Sequence, residues 1–211
     1  MKDIPIFPTE FGVASLALGE IPYRQTAYIR VQDVQPGALN DLIKECAQFC
    51  RVAGAEHIFW TAEGVAQEPH CTVYEMRGQA WVDPDKLESL FPVTEATAKR
   101  WRQIFNERMA KVDHTATLTA FDEKMIVESV GAYFVHRDGE LLGIGWLEDT
   151  KLLAIASVKA GAGERVAHTL MSMVEGATMR LEVASTNTKA IDLYERLGFL
   201  KTAQIIKWFK A

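Results

Sequence analysis

The stretch 181–199, LEVASTNTKAIDLYERLGF, constrains the fold most, because it reads as a strand that passes through a polar turn into a helix. Leu181 and Val183 alternate with Glu182, which predicts a strand with one buried face. Asn187 suits the position that caps a helix, and a glycine follows the last apolar residue of the helical pattern. A strand joined directly to a helix is typical of α/β chains.

The residues after position 85 continue this mixed pattern. Apolar spacing predicts helices over about 96–110 and 122–129, with Asp122 as the N-cap of the second helix. Residues 137–140, RDGE, lie between apolar runs and predict a tight hairpin. The remaining expected elements are an apolar central strand at 152–158, a helix, a strand at 179–183, a second helix and a last strand at 203–209.

The first part of the chain carries a smaller α/β pattern. Residues 81–93, WVDPDKLESLFPV, contain two prolines and several turn residues, which indicates a boundary between domains. We therefore predict two domains, residues 1–85 and 86–211. The elements expected in the first are strands at 11–18, 24–33, 57–61 and 72–76 and a helix over about 39–53.

Two short segments suggest that both parts share one plan. Residues 34–37 (VQPG) precede a predicted helix and strand, and residues 158–161 (VKAG) do the same 124 positions later. An ancient tandem of one strand-helix-strand unit explains this similarity, and so does chance.

Charge and hydropathy narrow the choice of partners. The net charge of −5 and the lack of a long basic run argue against nucleic acid. No apolar stretch approaches the roughly 20 residues that a membrane span needs, and the N-terminus MKDIPIFPTEFG lacks the apolar block of a signal peptide. We expect a cytoplasmic protein without a membrane partner, either monomeric or homodimeric.

The cysteines and histidines give little sign of a metal. Cys46 and Cys50 are four residues apart in a helical pattern. Two small buried hydrophobes and a metal or redox pair both fit that spacing, and the first is the more common case. The five histidines form no cluster with ligand spacing, so we expect no metal.

The junction at 158–167 has the composition of an anion-binding turn. A strand end, small residues and a helix start bring free N–H groups and the positive end of a helix dipole together. Gly161 and Gly163 would let a bulky pyrophosphate approach the backbone closely. A plain connection has the same composition, and Val166 stands where a dinucleotide fingerprint would need its third glycine.

Residues 181–199 resemble the closing motif of the GCN5-related N-acetyltransferase superfamily. The order of predicted elements from residue 92 onward is also similar to that fold, so the resemblance covers roughly the last 120 residues. It implies a mixed, mostly antiparallel sheet flanked by helices, and residues 1–85 resemble a smaller, degenerate α/β version of it. The matching residues are Leu181, Val183, Asn187, Ala190, Leu193, Tyr194, Glu195, Gly198 and Phe199.

The resemblance implies acetyl-coenzyme A as the cofactor, bound in a gap beside the central strand. The pantetheine arm would pair with backbone groups near Ala156, Ser157 and Val158. Asn187 would hold that arm or order the loop. The pyrophosphate would lie on the turn and the first helical residues, Gly161, Gly163, Glu164, Arg165, Val166 and Ala167.

The resemblance also implies two catalytic residues. Tyr194 would be the acid at the coenzyme sulfur, although it also fits a core tyrosine. Glu182 would be the base, because ribosomal-protein N-terminal acetyltransferases of this superfamily carry a glutamate in a similar strand, twelve residues before the tyrosine. It also fits a solvated or ion-paired strand residue. Glu128 and His114 are weaker candidates for the base.

The pyrophosphate loop departs from the family pattern. Ala162 stands for its Arg or Gln, and Arg165 stands for its middle glycine. Arg165 adds bulk, and both Arg165 and Lys159 add positive charge that could meet a phosphate. Two functions stay open: transfer of an acetyl group to a primary amine of a small molecule or of a peptide or protein N-terminus, or non-catalytic acyl-coenzyme-A binding by a sensor or interaction protein.

Overall fold

The computed structural model of the protein describes residues 2–211, in which strands and helices are mixed along the chain. The helices are α1 (Ile21–Arg24), α2 (Leu39–Val52), α3 (Glu95–Met109), α4 (Asp122–Glu128), α5 (Gly163–Met171) and α6 (Thr188–Arg196). The strands are β1 (Ile4–Thr9), β2 (Gly12–Ala17), β3 (Thr26–Val34), β4 (His57–Thr61), β5 (Cys71–Gln79), β6 (Ser89–Pro92), β7 (Ala132–Arg137), β8 (Glu140–Glu148), β9 (Lys151–Ser157), β10 (Thr178–Ala184) and β11 (Leu200–Lys210). None of the helices in this described part has the length and apolar character to cross a membrane.

Backbone contacts divide the chain into two units. The first contains the residues up to Thr72 together with Ile205–Ala211, and the second is Val73–Gln204. We expected a boundary between residues 85 and 86, whereas the contact division lies inside β5. The last strand, β11, supplies residues to both units. A boundary at one position along the chain therefore cannot separate the two units.

The first unit is a sheet with the strand order β1-β2-β3-β4-β11. β3 and β4 are parallel neighbours joined by α2, and they pair over five positions, from Thr26↔His57 to Arg30↔Thr61. The other pairs are antiparallel. The residues of α2 that pack in the core recur at helical spacing, and they are Leu42, Ile43, Cys46, Ala47 and Cys50.

Cys46 and Cys50 are small buried members of this core, as the more common interpretation of their spacing predicts. Burial raises the pKa of each thiol to about 11, so both stay protonated and unreactive at neutral pH. Within residues 2–211, no group of three or more His, Cys, Asp or Glu side chains is arranged to hold a metal ion.

The second unit is a mixed, mostly antiparallel sheet flanked by helices, which confirms the predicted fold class. Its strand order is β11-β5-β10-β9-β8-β7-β6, in which β9 and β10 are parallel and joined by α5. One apolar cluster includes Leu170 of α5 and Tyr194 of α6. A second cluster includes Trp101 of α3 and Ile126 of α4. These two clusters cover the strands that build the site described below.

Two strands, β1 and β6, were not predicted from the sequence. β1 contains Pro5 and Pro8, and β6 ends at Pro92. Each lies at the outer end of its strand order, where a missing backbone N–H costs no ladder hydrogen bond. Proline therefore marks edge strands here, rather than the loops that composition alone indicated.

The hairpin predicted at residues 137–140 is confirmed. Asp138 and Gly139 have φ values of 50° and 81°, as a two-residue turn with left-handed central residues requires. The turn joins β7 to β8, which pair from Ala132↔Trp146 to Arg137↔Glu140.

The N-cap predicted at Asp122 is wrong by one position. Phe121 is the N-cap, and Asp122 is the first residue of α4. The Asp122 carboxylate instead accepts hydrogen bonds from the backbone N–H of Thr119 at 2.6 Å and from its hydroxyl at 2.8 Å. The acid therefore closes the turn that precedes the helix.

Candidate active site

Strands β9 and β10 separate in the middle of the second unit. They pair at Arg180↔Lys151 and Leu181↔Leu152. By contrast, β9 pairs with β8 as far as Ser157, and β10 pairs with β5 as far as Ala184. A gap therefore opens between two parallel neighbours along residues 153–157 and 182–184, toward the end of β9 that leads to α5.

A cavity of about 450 Å³ occupies this gap, within the range of sites that bind small molecules and cofactors. Its far wall comes from the end of α3 and the following residues, among them Phe105 and Asp113. The lining includes these residues singled out from the sequence: Ala156, Ser157, Gly163, Glu182, Asn187, Tyr194 and His114. The predicted cofactor residues that lie outside the lining are Val158, Gly161, Glu164, Arg165, Val166 and Ala167.

The backbone of β9 presents alternate residues to the gap. The Val158 N–H donates to the Leu142 carbonyl at 2.7 Å, and the register continues through Ala156↔Ile144. In an antiparallel ladder, alternate residues bond to one neighbouring strand and those between them face the other side. The register with β8 is continuous from Ser157 to Ala154, so the N–H and C=O groups of Ile155 and Ser157 face the gap.

Tyr194 is buried in the cavity wall, with 7% of its surface exposed. α6 places it there because Ile191 and Tyr194 lie on the helix face that packs on the sheet. Its hydroxyl has no hydrogen-bond partner among residues 2–211. Burial raises the pKa of this hydroxyl, so the group keeps its proton and can donate a hydrogen bond into the cavity.

Glu182 lies on the sheet face opposite Leu181 and Val183, as the alternation predicted. Its carboxylate accepts a hydrogen bond from the Lys151 ammonium at 2.7 Å, and 45% of its side chain is exposed. Of the weaker candidates for the base, His114 lines the cavity with a left-handed backbone (φ 58°). Glu128 is exposed outside the lining and pairs with Lys124.

Asn187 caps α6 and also lines the cavity. Its side-chain oxygen accepts from the Ala190 N–H at 3.4 Å. The capping role that its position suggested is thus present, and it leaves the amide nitrogen as a donor.

The comparisons with known proteins support the fold. No protein-family model matches the sequence, and no curated protein does. A functionally unknown conserved protein from Staphylococcus epidermidis shares a TM-score of 0.56 at 10% identity, over 96% of this chain and 90% of that one. A proposed acetyltransferase from Pyrococcus horikoshii gives 0.57 at 13% identity, over 95% and 69%.

A GCN5-related N-acetyltransferase from Sphaerobacter thermophilus gives a TM-score of 0.53 at 10% identity, over 94% of this chain and 76% of that one. The fold is that of the GCN5-related N-acetyltransferases. At this identity the likeness shows the N-acetyltransferase fold alone, and the chemistry depends on the residues of this chain.

The loop of this N-acetyltransferase fold directs its charged side chains away from the cavity. Arg165 donates to the Glu88 carboxylate at 2.8 Å and to the Asp85 carbonyl at 3.2 Å. Lys159 pairs with Glu140. Val166 is fully buried in the core. Helix geometry leaves the first N–H groups of α5 without intrahelical acceptors, so backbone donors, rather than side chains, are what this loop offers to an anion.

The segment 83–88 is fastened to α5 by polar contacts. The Asp83 N–H donates to His168 Nδ1 at 3.3 Å, and the Glu88 N–H donates to the Thr169 hydroxyl at 3.1 Å. Lys86 also pairs with Glu164 at 3.0 Å. These contacts hold the helix whose N-terminus lies at the end of the cavity.

Stability should fall as the pH drops below the ordinary pKa of histidine, because His168 is buried as the neutral form. Burial, with the nearby Lys86 charge, lowers the pKa of His168, and Nδ1 must be unprotonated to accept from Asp83. The unfolded chain therefore binds a proton first, and stability present above about pH 6.5 is lost toward the lowered pKa.

Urea unfolding at pH 7.5 and 5.5 tests this for the wild type and for His168→Asn, whose side-chain oxygen can still accept from Asp83. We expect a smaller pH dependence in the variant. An equal dependence in both proteins would assign the effect to other groups.

Several residues of the cavity lining were not singled out from the sequence, among them two on β9 and two cations. Leu153 and Ile155 alternate with Ser157, so the period of a strand could have indicated them once the pairing was known. Arg108 and Lys189 also line the cavity, from the end of α3 and the start of α6. Lys189 lies inside the 181–199 motif, but nothing local in the sequence places Arg108 beside residue 158.

Proposed function

We propose that this protein is an acetyl-coenzyme-A-dependent N-acetyltransferase whose acceptor is a primary amine of a small molecule or of a peptide N-terminus. The observation that carries the proposal is the separation of β9 from β10, with Tyr194 and Glu182 both on the resulting cavity. Where the strands separate, backbone N–H and C=O groups of β9 lose their partners in the sheet, and a strand-like ligand would pair with them.

The cavity suits an extended amide-containing arm that ends in an anion. The N–H and C=O groups of Ile155 and Ser157 provide pairing along the open edge of β9, while Val158 is already bonded to Leu142 and to Arg108. The first N–H groups of α5 favour a phosphate at the other end. Acyl-coenzyme A combines these features, and it would supply an acyl group activated as a thioester.

Tyr194 would stabilise the leaving sulfur by donating a hydrogen bond. Its raised pKa lies well above the roughly 8.5 of an ordinary thiol, so the proton stays mainly on the phenol oxygen. A buried donor directed at developing negative charge lowers the barrier without full proton transfer. We therefore propose that Tyr194 acts as a hydrogen-bond donor to the sulfur and not as a full acid.

Glu182 would accept the proton of the acceptor ammonium, directly or through a water molecule. Its carboxylate is within 2.7 Å of the Lys151 ammonium, so a cation is already accommodated there. An acceptor amine that reaches Glu182 would compete with Lys151 for the carboxylate, which favours an acceptor that enters as a cation.

The first unit would not bind coenzyme. Its β3–α2–β4 unit repeats the β9–α5–β10 plan, with parallel strands joined by one helix, which supports a shared origin for the two segments. However, β3 and β4 stay paired over five positions, while β9 and β10 pair over two. The first unit thus lacks the gap between parallel strands in which we propose that the coenzyme binds.

Calorimetry of the full chain with acetyl-coenzyme A, followed by thiol-release assays over an amine panel, tests the proposal. We expect one binding site per chain and thiol release with at least one class of small amine or N-terminal peptide. Two sites would contradict the assignment of the first unit. Absence of binding would sink the proposal, and binding without release over the panel would favour a non-catalytic sensor.

A further inference from the structure

The two loop cations that could meet the coenzyme phosphates form ion pairs with other residues instead. Arg165 is bound to Glu88, whose side chain is only 6% exposed, and Lys159 is bound to Glu140. Ala162 replaces the Arg or Gln of the family pattern and is buried. If the cavity takes a polyphosphate, the loop side chains contribute little charge to it.

Two cations from other elements line the cavity instead. Arg108, at the end of α3, donates from Nη2 to the Val158 carbonyl at 2.9 Å, which leaves most of its guanidinium donors unused. Lys189 is the second residue of α6. Neither has a carboxylate partner among residues 2–211, whereas the loop cations Lys159 and Arg165 do.

The contact with Val158 places Arg108 at the phosphate end of the cavity. Val158 directly follows β9, and the chain then turns into α5, whose first residue, Gly163, also lines the cavity. The open edge of β9 spans residues 153–157, about 13 Å from the first Cα to the last at the usual rise per residue. Arg108 is thus separated by most of the cavity from Glu182, which is adjacent to the last β9–β10 pair.

We propose that Arg108 and Lys189 bind the phosphate groups of the acyl-coenzyme A, in place of the loop cations. This inference rests on the proposed function of the site. Arg108 would bridge the Val158 carbonyl and a phosphate oxygen, because a guanidinium has donors for both. Lys189 would add a flexible charge beside the N-terminus of α6, where the helix dipole has the same sign.

The test is calorimetric titration of the full chain with coenzyme A at 0.05 and 0.5 M salt. The variants are Arg108→Gln and Lys189→Gln, with Lys159→Gln as a matched control that removes an exposed loop cation. At low salt we expect Kd to rise about tenfold in each of the first two variants and less than twofold in the control. At high salt the differences should shrink to about twofold or less, because exposed charges are screened.

The outcomes separate the inference from the function on which it rests. No binding by the wild type would refute the proposed function itself. Wild-type binding with unchanged Kd in both Arg108→Gln and Lys189→Gln would overturn the inference alone. A loss in Arg108→Gln that is equal at both salt concentrations would also overturn it, since Arg108 would then act by holding Val158. Thermal melting of each variant identifies any loss caused by misfolding.

Discussion

Replacement of Tyr194 by Phe should lower kcat by about 10²–10³-fold while the Kd for acetyl-coenzyme A stays within about twofold. The variant keeps the ring that packs 6.0 Å from Phe199 and removes only the hydroxyl, which we propose donates a hydrogen bond to the leaving sulfur. A donor that acts on the leaving sulfur is used in the transition state, so kcat falls without a matching change in binding.

A matched control is Tyr133→Phe. The Tyr133 hydroxyl donates to the Val130 carbonyl at 3.1 Å, outside the cavity, so this variant should keep wild-type kcat. The pH profile gives a second check. Because burial raises the pKa of Tyr194, no alkaline loss of rate below about pH 10 should depend on this residue. Full activity of Tyr194→Phe would leave Tyr194 as a core residue.

The residues of the 181–199 motif could be placed from the sequence because their geometry is local. Alternation along β10 decides that Glu182 lies opposite Leu181, and helical spacing along α6 decides which face carries Tyr194. Asn187 caps the helix it precedes. Each of these positions depends on neighbours within a few residues, and all three side chains reach the same cavity.

The directions of the side chains in the loop at 159–167 could not be predicted in the same way, because they depend on partners that are distant in the sequence. Arg165 turns toward Glu88, 77 positions earlier, and away from the cavity. Arg108 reaches Val158 across 50 positions, so neither spacing nor composition indicated it. The family pattern describes what a loop can bind, whereas long-range ion pairs determine which of its charges remain available.

The ion pair between Arg165 and Glu88 predicts a structural role for both residues. Arg165→Met should lower the free energy of unfolding by about 2 kcal/mol, because the Glu88 carboxylate is only 6% exposed and would lose its nearest cation. The loss stays below that of a fully buried pair because the Arg165 side chain is 35% exposed and Arg137 remains 4.0 Å from Glu88.

Urea denaturation of Arg165→Met, Glu88→Gln and the double variant measures the coupling between the two side chains. Lys159→Met is the matched control, since its pair with Glu140 is more than half exposed and should contribute less than about 1 kcal/mol. Coenzyme affinity should be unchanged in folded Arg165→Met, because the guanidinium contacts Glu88 and Asp85 outside the cavity lining. If Arg165→Met instead keeps wild-type stability and binds coenzyme more weakly, Arg165 contacts the phosphates, as the family pattern implied. The guanidinium would then leave Glu88 when the coenzyme binds.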